Sequence, residues 1–274
     1  MCLKRRKMHN FAENLHQFMR NKHFILAFVT LMALLSACAT RYHVTGITRT
    51  RCLIDATYDK PVPPQVTNFM QPYKQKVDEL FAPVIGTASK ELIVDRPESP
   101  LGNLMADIMM WAAKDYGEQP DFGVYNKGGI RASIAKGDIT IGDAFDVAPF
   151  ENRICFVTLS GEKVLELMGQ IVYRGGEPVS KEVKIYATKD NQLRRATING
   201  KDIDPKASYR VVTLDYVAHG NDRMVAFKDG TQKREFTGEE DLSRSIFIKY
   251  VREMTAQGKV IDPVVEGRYV IVEE

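Results

Sequence analysis

Residues 99–112 read SPLGNLMADIMMWA, and this stretch decides much of the fold. A serine followed by proline at the first helical position is a strong helix start, because the hydroxyl caps a free backbone N–H and proline has none to satisfy. Apolar side chains then recur at helical spacing, at Leu101, Leu104, Met105, Ile108, Met109 and Ala112. The pattern predicts a core helix that runs to about Tyr116.

Strand and helix patterns alternate on both sides of this helix. Apolar or alternating runs predict strands at 52–54, 92–94, 121–125, 154–159, 181–188, 193–198, 209–214 and 269–272. Apolar helical spacing predicts helices at 73–81, 161–169 and 242–254. Asn199-Gly200 predicts a hairpin turn, and the prolines at 61, 63, 64 and 72 predict a stiff connector. We expect one mixed domain of class α+β.

The N-terminal segment has the pattern of an export signal. Basic and polar residues at 20–22 precede an apolar run from Phe24 to Leu35, and the sequence Leu-Ser-Ala-Cys ends at Cys38. That ending resembles the bacterial lipobox, in which the cysteine becomes the lipidated N-terminus. The alternative is a transmembrane helix, but the run is shorter than the ~20 residues that span a bilayer. We therefore expect a signal peptide over residues 1–38, lipidation of Cys38, and a membrane-anchored protein that faces the periplasm or the cell surface.

Two cysteines follow the predicted lipidation site. Cys155 lies in the apolar run Ile-Cys-Phe-Val, which favours a buried free thiol. A disulfide between Cys52 and Cys155 is the alternative that export leaves open. The net charge of +3 is small and several basic residues lie before residue 8, so the composition gives no reason to expect a nucleic-acid partner.

Complete catalytic motifs are missing from the sequence. After signal cleavage the histidines are His43 and His219, which are too few for a typical site of converging hydrolytic metal ligands. The sequence contains no Gly-x-Ser-x-Gly elbow and no Walker loop. A Ser/His/Asp triad would have to use His219, whose partners nothing marks. We expect no catalytic residue, no metal ligand and no cofactor in this chain.

A polar, glycine-containing segment follows the predicted strand at 121–125. Gly128 and Gly129 allow a ligand to approach the backbone closely. Asn126 both donates and accepts hydrogen bonds, as ribose hydroxyls require, and Arg131 can hold a phosphate with its planar fork. Taken alone, such a segment is an ordinary turn.

Two aromatic residues occupy separate predicted loops. Phe150 lies in Pro-Phe-Glu-Asn, which ends at Asn152, while Tyr216 follows a strand and precedes Asp222 in a polar loop. Two such rings can hold a flat base between them, at ~1–3 kcal/mol per stacked base. The ordinary alternatives are a core plug for Phe150 and a loop cap for Asp222.

The order and spacing of these segments resemble the C-terminal domain of the 5′-nucleotidase family over residues 95–270. The matching stretches are 99–107, 126–131, 137–140, 149–152, 159–161, 216–223 and 265–268. The resemblance implies a layered α/β/β/α domain that binds the base and ribose of a nucleotide. It assigns base stacking to Phe150 and Tyr216, ribose or phosphate contacts to Asn126 and Arg131, and ribose binding to Asp222.

Several residues depart from the family's pattern. Lys127 and Glu151 stand where the family has glycine, and Arg223 lies in an altered loop beside His219. The resemblance also matches Arg96 with an anion-binding arginine. These differences leave the fold expectation unchanged but put the ligand affinity and the base preference in question.

The resemblance does not extend to a metallophosphoesterase domain. We expect a tether, connector and leading helix at residues 39–90 and the family's C-terminal-like domain at 91–274. The leading hypothesis is the substrate-binding half of a split 5′-nucleotidase, whose divalent metal lies in a separate metallophosphoesterase chain. The alternatives are a nucleoside-scavenging or sensing lipoprotein, a scaffold that has lost its pocket, and a hydrolase that acts alone.

Overall fold

The computed structural model of the protein describes residues 26–27, 29–31, 44–51, 53 and 62–273. The predicted lipidation site Cys38 lies outside these residues, and so does the predicted strand that begins at Cys52, apart from Leu53. Within the described segments, no helix combines the length and the apolar character needed to cross a bilayer.

Helices and strands are numbered here in chain order from residue 62. The α-helices are α1 Pro64–Phe81, α2 Pro100–Ala112, α3 Ile141–Val147, α4 Gly161–Tyr173, α5 Asp215–Ala218 and α6 Ser243–Ala256. The strands are β1 Val84–Ala88, β2 Phe122–Gly123, β3 Gly137–Thr140, β4 Ile154–Ser160, β5 Val183–Ala187, β6 Leu193–Ile198, β7 Lys201–Asp202, β8 Ser208–Leu214, β9 Thr231–Glu235 and β10 Tyr269–Ile271. Short 3₁₀ helices lie at Ala113–Tyr116, Lys127–Gly129 and Val225–Asp229.

Strands in the described part of the chain form two four-stranded sheets and one pair. The central sheet has the order β2-β8-β4-β9, the second sheet has the order β10-β5-β6-β7, and β1 pairs with β3. Helix α4 contacts β4 and β8 of the central sheet and also β6 of the second sheet. Helices and mixed sheets in one compact unit from Val62 onward confirm the predicted α+β class.

The predicted core helix is confirmed as α2. The Ser99 hydroxyl accepts a hydrogen bond from the backbone N–H of Gly102 at 3.3 Å, and Pro100 occupies the first helical position. Leu101, Met105 and Ile108 are completely buried, and full burial of such a side chain stabilises the fold by ~1.5–3 kcal/mol. The α-helix ends at Ala112 and continues as the 3₁₀ turn that reaches the predicted end at Tyr116.

The predicted strand at 92–94 is wrong. Leu92 alone forms a bridge, with Ile134, while Ile93 is exposed. The strand in this part of the chain is instead β1, which pairs antiparallel with β3. Its central Gly86 weakens the strand pattern in the sequence, but a Cβ there would come within 2.4 Å of Val251 Cγ1, so helix α6 requires a glycine at that point.

The interpretation of the prolines at 61, 63, 64 and 72 as one stiff connector is also wrong. Pro64 begins helix α1 and Pro72 lies inside it. Proline costs little at the first helical position, because its missing N–H would have no partner there, whereas Pro72 lies in the interior of a helix that nevertheless continues to Phe81. The predicted helix at 73–81 therefore exists but starts earlier, and none of its residues is buried.

Cys155 has the buried free thiol that the sequence favours. Its side chain is inaccessible to solvent at the centre of the central sheet. Burial in this apolar surrounding raises the pKa of the Cys155 thiol to about 12. The thiol therefore stays protonated at neutral pH.

Candidate functional site

Three loops meet at one edge of the central sheet. Strand β2 runs parallel to β8, so the chain after β2 and the chain after β8 leave the sheet at the same edge. Strand β4 is antiparallel to β8, with Ile154 opposite Leu214, so the chain before β4 arrives at that edge too. The strand directions thus bring together three segments that are distant in sequence.

A pocket of about 330 Å³ lies at this edge. Its volume falls within the ~300–1,000 Å³ range of small-molecule sites. Eight of the residues that the sequence singles out for ligand contact line it, and Arg96 does not: Asn126, Gly128, Gly129, Arg131, Phe150, Asn152, Tyr216 and Asp222. The structure thus brings the predicted set together, while ligand binding by that set stays a prediction.

Asn126, Gly129 and Asp222 form what we call the pocket floor. Asn126 is 3% exposed, and its Nδ2 donates a hydrogen bond to Asp222 Oδ2 at 2.6 Å. Its Oδ1 is buried and has no hydrogen-bond partner among the described residues. A buried acceptor without a partner costs ~1–3 kcal/mol, so the floor keeps this geometry at a cost in stability.

Gly129 packs closely against its neighbours in the floor. A Cβ at this position would lie 2.7 Å from Asn126 Oδ1 and 3.2 Å from Tyr125 Cε1. Both neighbours are held in place, since Asn126 bonds Asp222 and the Tyr125 hydroxyl donates to Ser243 Oγ at 3.3 Å. Burial raises the pKa of Tyr125 to about 12, so this hydroxyl remains a donor at physiological pH.

Arg131 supplies positive charge to the same pocket. Its backbone N–H is fixed by the carbonyl of Val147 at 2.9 Å, and its side chain is exposed. The guanidinium makes one long contact, from Nη1 to the Gly128 carbonyl at 3.5 Å, and has no ion-pair partner in the described part of the chain. Such a guanidinium is available to an anionic group of a ligand.

Phe150 and Tyr216 form what we call the pocket rim. Phe150 lies in the loop between α3 and β4 and is 46% exposed, while Tyr216 is the second residue of α5 and is 39% exposed. Neither ring takes part in an aromatic pair among the described residues. The backbone on both sides is held: Arg244 donates to the Phe150 carbonyl at 3.1 Å, and Asn221 donates to the Tyr216 carbonyl at 2.8 Å.

The residues that depart from the family's pattern lie outside this pocket. Lys127 and Glu151 are not among the residues that line it. His219 Nε2 lies 2.8 Å from Glu235 Oε1, and Arg223 Nη1 donates to the Tyr173 hydroxyl at 3.5 Å. These four side chains are therefore not part of the pocket lining.

A buried carboxylate behind the pocket was missed by sequence reasoning. Glu177 contacts Arg96, Arg174 and the backbone N–H of Lys127. Arg96, matched by resemblance with an anion-binding arginine, is thus engaged by Glu177 and is not part of the pocket lining. The available signal was the sequence Arg-Gly-Gly-Glu at 174–177, whose two glycines have positive φ angles of 78° and 104°.

The described residues contain no group of three or more His, Cys, Asp or Glu side chains placed to hold a metal ion. The divalent metal that the resemblance implies for a phosphatase chain therefore has no matching ligand set in this part of the chain.

Comparison with known families adds an independent observation. Residues 84–229 match the family model described as the 5′-nucleotidase C-terminal domain. A cell wall protein of Listeria monocytogenes, Lmo0130, is 29% identical over 231 residues, which cover 75% of this chain and 29% of that protein. A 5′-nucleotidase of Vibrio cholerae is 29% identical over 162 residues, which cover 56% of this chain and 28% of that protein.

Solved structures agree with this match. The crystal structure of a 5′-nucleotidase precursor from Thermus thermophilus superposes with a TM-score of 0.66 at 27% identity, and the match covers 77% of this chain and 43% of that chain. This chain thus spans less than a third of the two curated relatives, at 29% and 28% of their lengths.

Proposed function

The chain belongs to the family of 5′-nucleotidase C-terminal domains, and from this premise we propose that it binds a nucleotide or nucleoside in the pocket at the edge of the central sheet. The observation that carries the proposal is the lining of that pocket. Two half-exposed rings line it together with a buried amide, a half-buried carboxylate and a guanidinium that has no ion-pair partner among the described residues. Flat base, ribose hydroxyls and phosphate are the chemical groups that this set complements.

Each contact in the proposal has a stated chemical reason. A base stacks on Phe150 and Tyr216, because aromatic faces accept any base at ~1–3 kcal/mol each. A ribose hydroxyl donates to the Asp222 carboxylate, which the Asn126 amide holds in place. Arg131 contacts the 5′ phosphate when the ligand carries one. The glycines 128 and 129 let the sugar approach the backbone.

We also propose that the chain is the substrate-binding half of a split 5′-nucleotidase. In this proposal a separate metallophosphoesterase chain supplies the metal ions and the attacking water. The support is the family membership together with the nucleotidase among its relatives. We propose export as a lipoprotein anchored through Cys38, facing the periplasm or the cell surface, on the signal-like sequence and the cell wall relative.

Isothermal titration calorimetry on the purified full chain tests ligand binding. Adenosine, AMP and UMP are titrated separately, and glycerol 3-phosphate serves as a ligand with phosphate but without a base. The proposal predicts saturable binding of at least one base-containing ligand and no comparable heat with glycerol 3-phosphate. A folded protein that gives no binding heat with adenosine, AMP or UMP would overturn the proposed binding function.

The split-enzyme proposal needs its own experiment. A lone metallophosphoesterase chain from the same source is mixed with this chain, and phosphate release from AMP is followed. The proposal predicts a higher rate for the mixture than for the sum of the separate chains. An unchanged rate, with AMP binding intact, would favour a nucleoside-scavenging or sensing lipoprotein.

A further inference from the structure

Glu177 lies behind the pocket and makes contacts that link two of the pocket loops. Its side chain is completely buried. One carboxylate oxygen, Oε2, accepts a hydrogen bond from the backbone N–H of Lys127 at 2.6 Å. The other, Oε1, accepts from Arg174 Nε at 2.5 Å and from Arg96 Nη2. Both oxygens are thus occupied, so the buried carboxylate is satisfied.

The Lys127 contact fixes the first pocket loop. Lys127 begins the 3₁₀ helix that ends at Gly129, directly after Asn126. A carboxylate on its N–H forms a charge-assisted hydrogen bond, which is about twice as strong as a neutral one. Glu177 therefore holds the backbone that carries Asn126 and Gly129 of the pocket floor.

The Arg174 contact reaches the second pocket loop. While Arg174 Nε binds Glu177, its Nη2 lies 3.3 Å from Asp222 Oδ1. Asp222 has a positive φ of 52°, a conformation that is unfavourable for a residue with a Cβ. Its carboxylate is bound on one side by Arg174 and on the other by Asn126, and these contacts hold the strained loop in place.

The turn at 174–177 is itself locked. Arg96 Nε donates to the Gly176 carbonyl at 2.8 Å. A Cβ at Gly176 would lie 2.4 Å from the Pro97 carbonyl oxygen, so only glycine fits this approach. The segment therefore places Arg174 and Glu177 side by side as a rigid pair behind the pocket.

We propose that Glu177 is the positioning residue that sets the pocket floor, because it ties the Lys127 loop directly and the Asp222 loop through Arg174. It does not touch the ligand. The inference rests on the proposed function for its effect on nucleoside affinity, but the tie between the two loops is testable without any ligand.

Hydrogen–deuterium exchange on the full chain tests whether Glu177 holds the Lys127 and Asp222 loops in place. In Glu177→Gln, backbone amides of segments 125–131 and 219–224 are expected to exchange about tenfold faster, the size of one lost charge-assisted hydrogen bond. The matched control is Glu118→Gln, since Glu118 also bridges two arginines, Arg210 and Arg234 at 2.6 Å each, but outside the pocket. Unchanged exchange of both segments in Glu177→Gln would overturn the proposal.

Arg174→Gln tests the contact with the Asp222 loop separately from the contact with the Lys127 loop. It also provides a second test if Glu177→Gln does not fold. It removes the link to Asp222 and leaves Glu177 bound to Arg96 and to the Lys127 N–H. Faster exchange confined to 219–224 is expected. Equal exchange of 219–224 in Arg174→Gln and in the unmodified chain would contradict the tie.

Adenosine affinity then tests the consequence. Glu177→Gln is expected to weaken binding about tenfold with the thermal transition still cooperative. If Glu177 acts through Asp222, the loss caused by Glu177→Gln shrinks in an Asp222→Ala background. An undiminished loss would overturn the route through Asp222. An unmodified chain that binds no adenosine contradicts the proposed function instead, and the exchange experiment still decides the tie.

Discussion

Asn126 on the pocket floor is 3% exposed and hydrogen-bonded to Asp222, whereas Phe150 on the rim is 46% exposed and belongs to no aromatic pair among the described residues. The floor has its geometry before any ligand arrives, so it loses little conformational freedom on binding. The rim is free to adjust to the shape of a base. The difference predicts that floor substitutions damage both fold and affinity, while rim substitutions damage affinity alone.

Gly129→Ala is expected to have the largest effect on the floor. The added Cβ would lie 2.7 Å from Asn126 Oδ1, and overpacking of this kind costs ~1–3 kcal/mol. We predict an adenosine affinity that is ten- to a hundredfold lower, on the order of that cost, measured by calorimetry. Gly169→Ala is the control, because a Cβ there meets nothing within 4 Å. Equal affinity of the two variants would contradict a closely fitted floor.

Asn126→Ala removes one partner from the floor. Asp222 Oδ2 then loses its hydrogen bond at 2.6 Å. We predict a loss of ~1–3 kcal/mol in unfolding free energy, because the half-buried Asp222 carboxylate loses a charge-assisted hydrogen bond. Denaturant unfolding measures the stability, and calorimetry measures a parallel loss of adenosine affinity. A variant that keeps its stability but loses its affinity would place Asn126 with the rim.

Arg131→Gln is expected to weaken the binding of AMP but not that of adenosine. The Arg131 guanidinium has no ion-pair partner among the described residues, so its loss should leave stability within about 0.5 kcal/mol of the unmodified chain. We predict about tenfold weaker binding of AMP, since one charge-assisted hydrogen bond is lost, and unchanged binding of adenosine. Both are measured by calorimetry at low and high salt. Equal losses of affinity for AMP and adenosine would contradict a contact between Arg131 and the phosphate.

The smallest effect on ligand binding is expected away from both regions. Cys155 is buried in the central sheet, and its thiol has a pKa of about 12, raised from 9.0 by burial. The unfolded chain therefore releases this proton first, so the unmodified chain loses stability as pH rises from 9 to 12, by up to about 1.4 kcal/mol per pH unit. Cys155→Ala lacks this term.

Denaturant unfolding of the unmodified chain and of Cys155→Ala, repeated between pH 8 and pH 11, checks this expectation. The stability difference between them is constant below pH 9 and changes in favour of Cys155→Ala above it. Adenosine affinity of the two proteins is equal at pH 7.5. A parallel pH dependence of both proteins would contradict the raised pKa.

The sequence was most informative where one local cause determines the structure. Ser99 and Pro100 start helix α2 because a hydroxyl cap and a proline are sufficient for that purpose. Asn199 and Gly200 make the predicted hairpin turn, with φ angles of 51° and 74°, because both tolerate the left-handed region. Such features depend on neighbours in sequence, which a single chain displays.

Features that depend on distant packing were not predictable in this way. Gly86 weakens the strand pattern of β1 in the sequence. Glycine is required there because helix α6, which is distant in sequence, packs against that position. The sequence Arg-Gly-Gly-Glu at 174–177 indicates a turn but does not show that Glu177 is buried, because two of its partners come from residue 96 and from the loop at 127. The grouping of the eight pocket residues was predicted from the resemblance of their ordered spacing to a known family. The separate segments carry no feature that would show, without that resemblance, that they lie close together in the fold.

Adenosine affinity of Phe150→Ala, set against Phe69→Ala, tests the central claim most directly. Phe69 lies on α1, is 66% exposed and is outside the pocket, so it controls for loss of an exposed ring. The stacking rim predicts that Phe150→Ala loses about 1 kcal/mol or more of binding free energy, with its thermal transition unchanged. Phe69→Ala keeps the affinity of the unmodified chain. Binding of adenosine with equal affinity to both variants would contradict a pocket that holds a base between Phe150 and Tyr216.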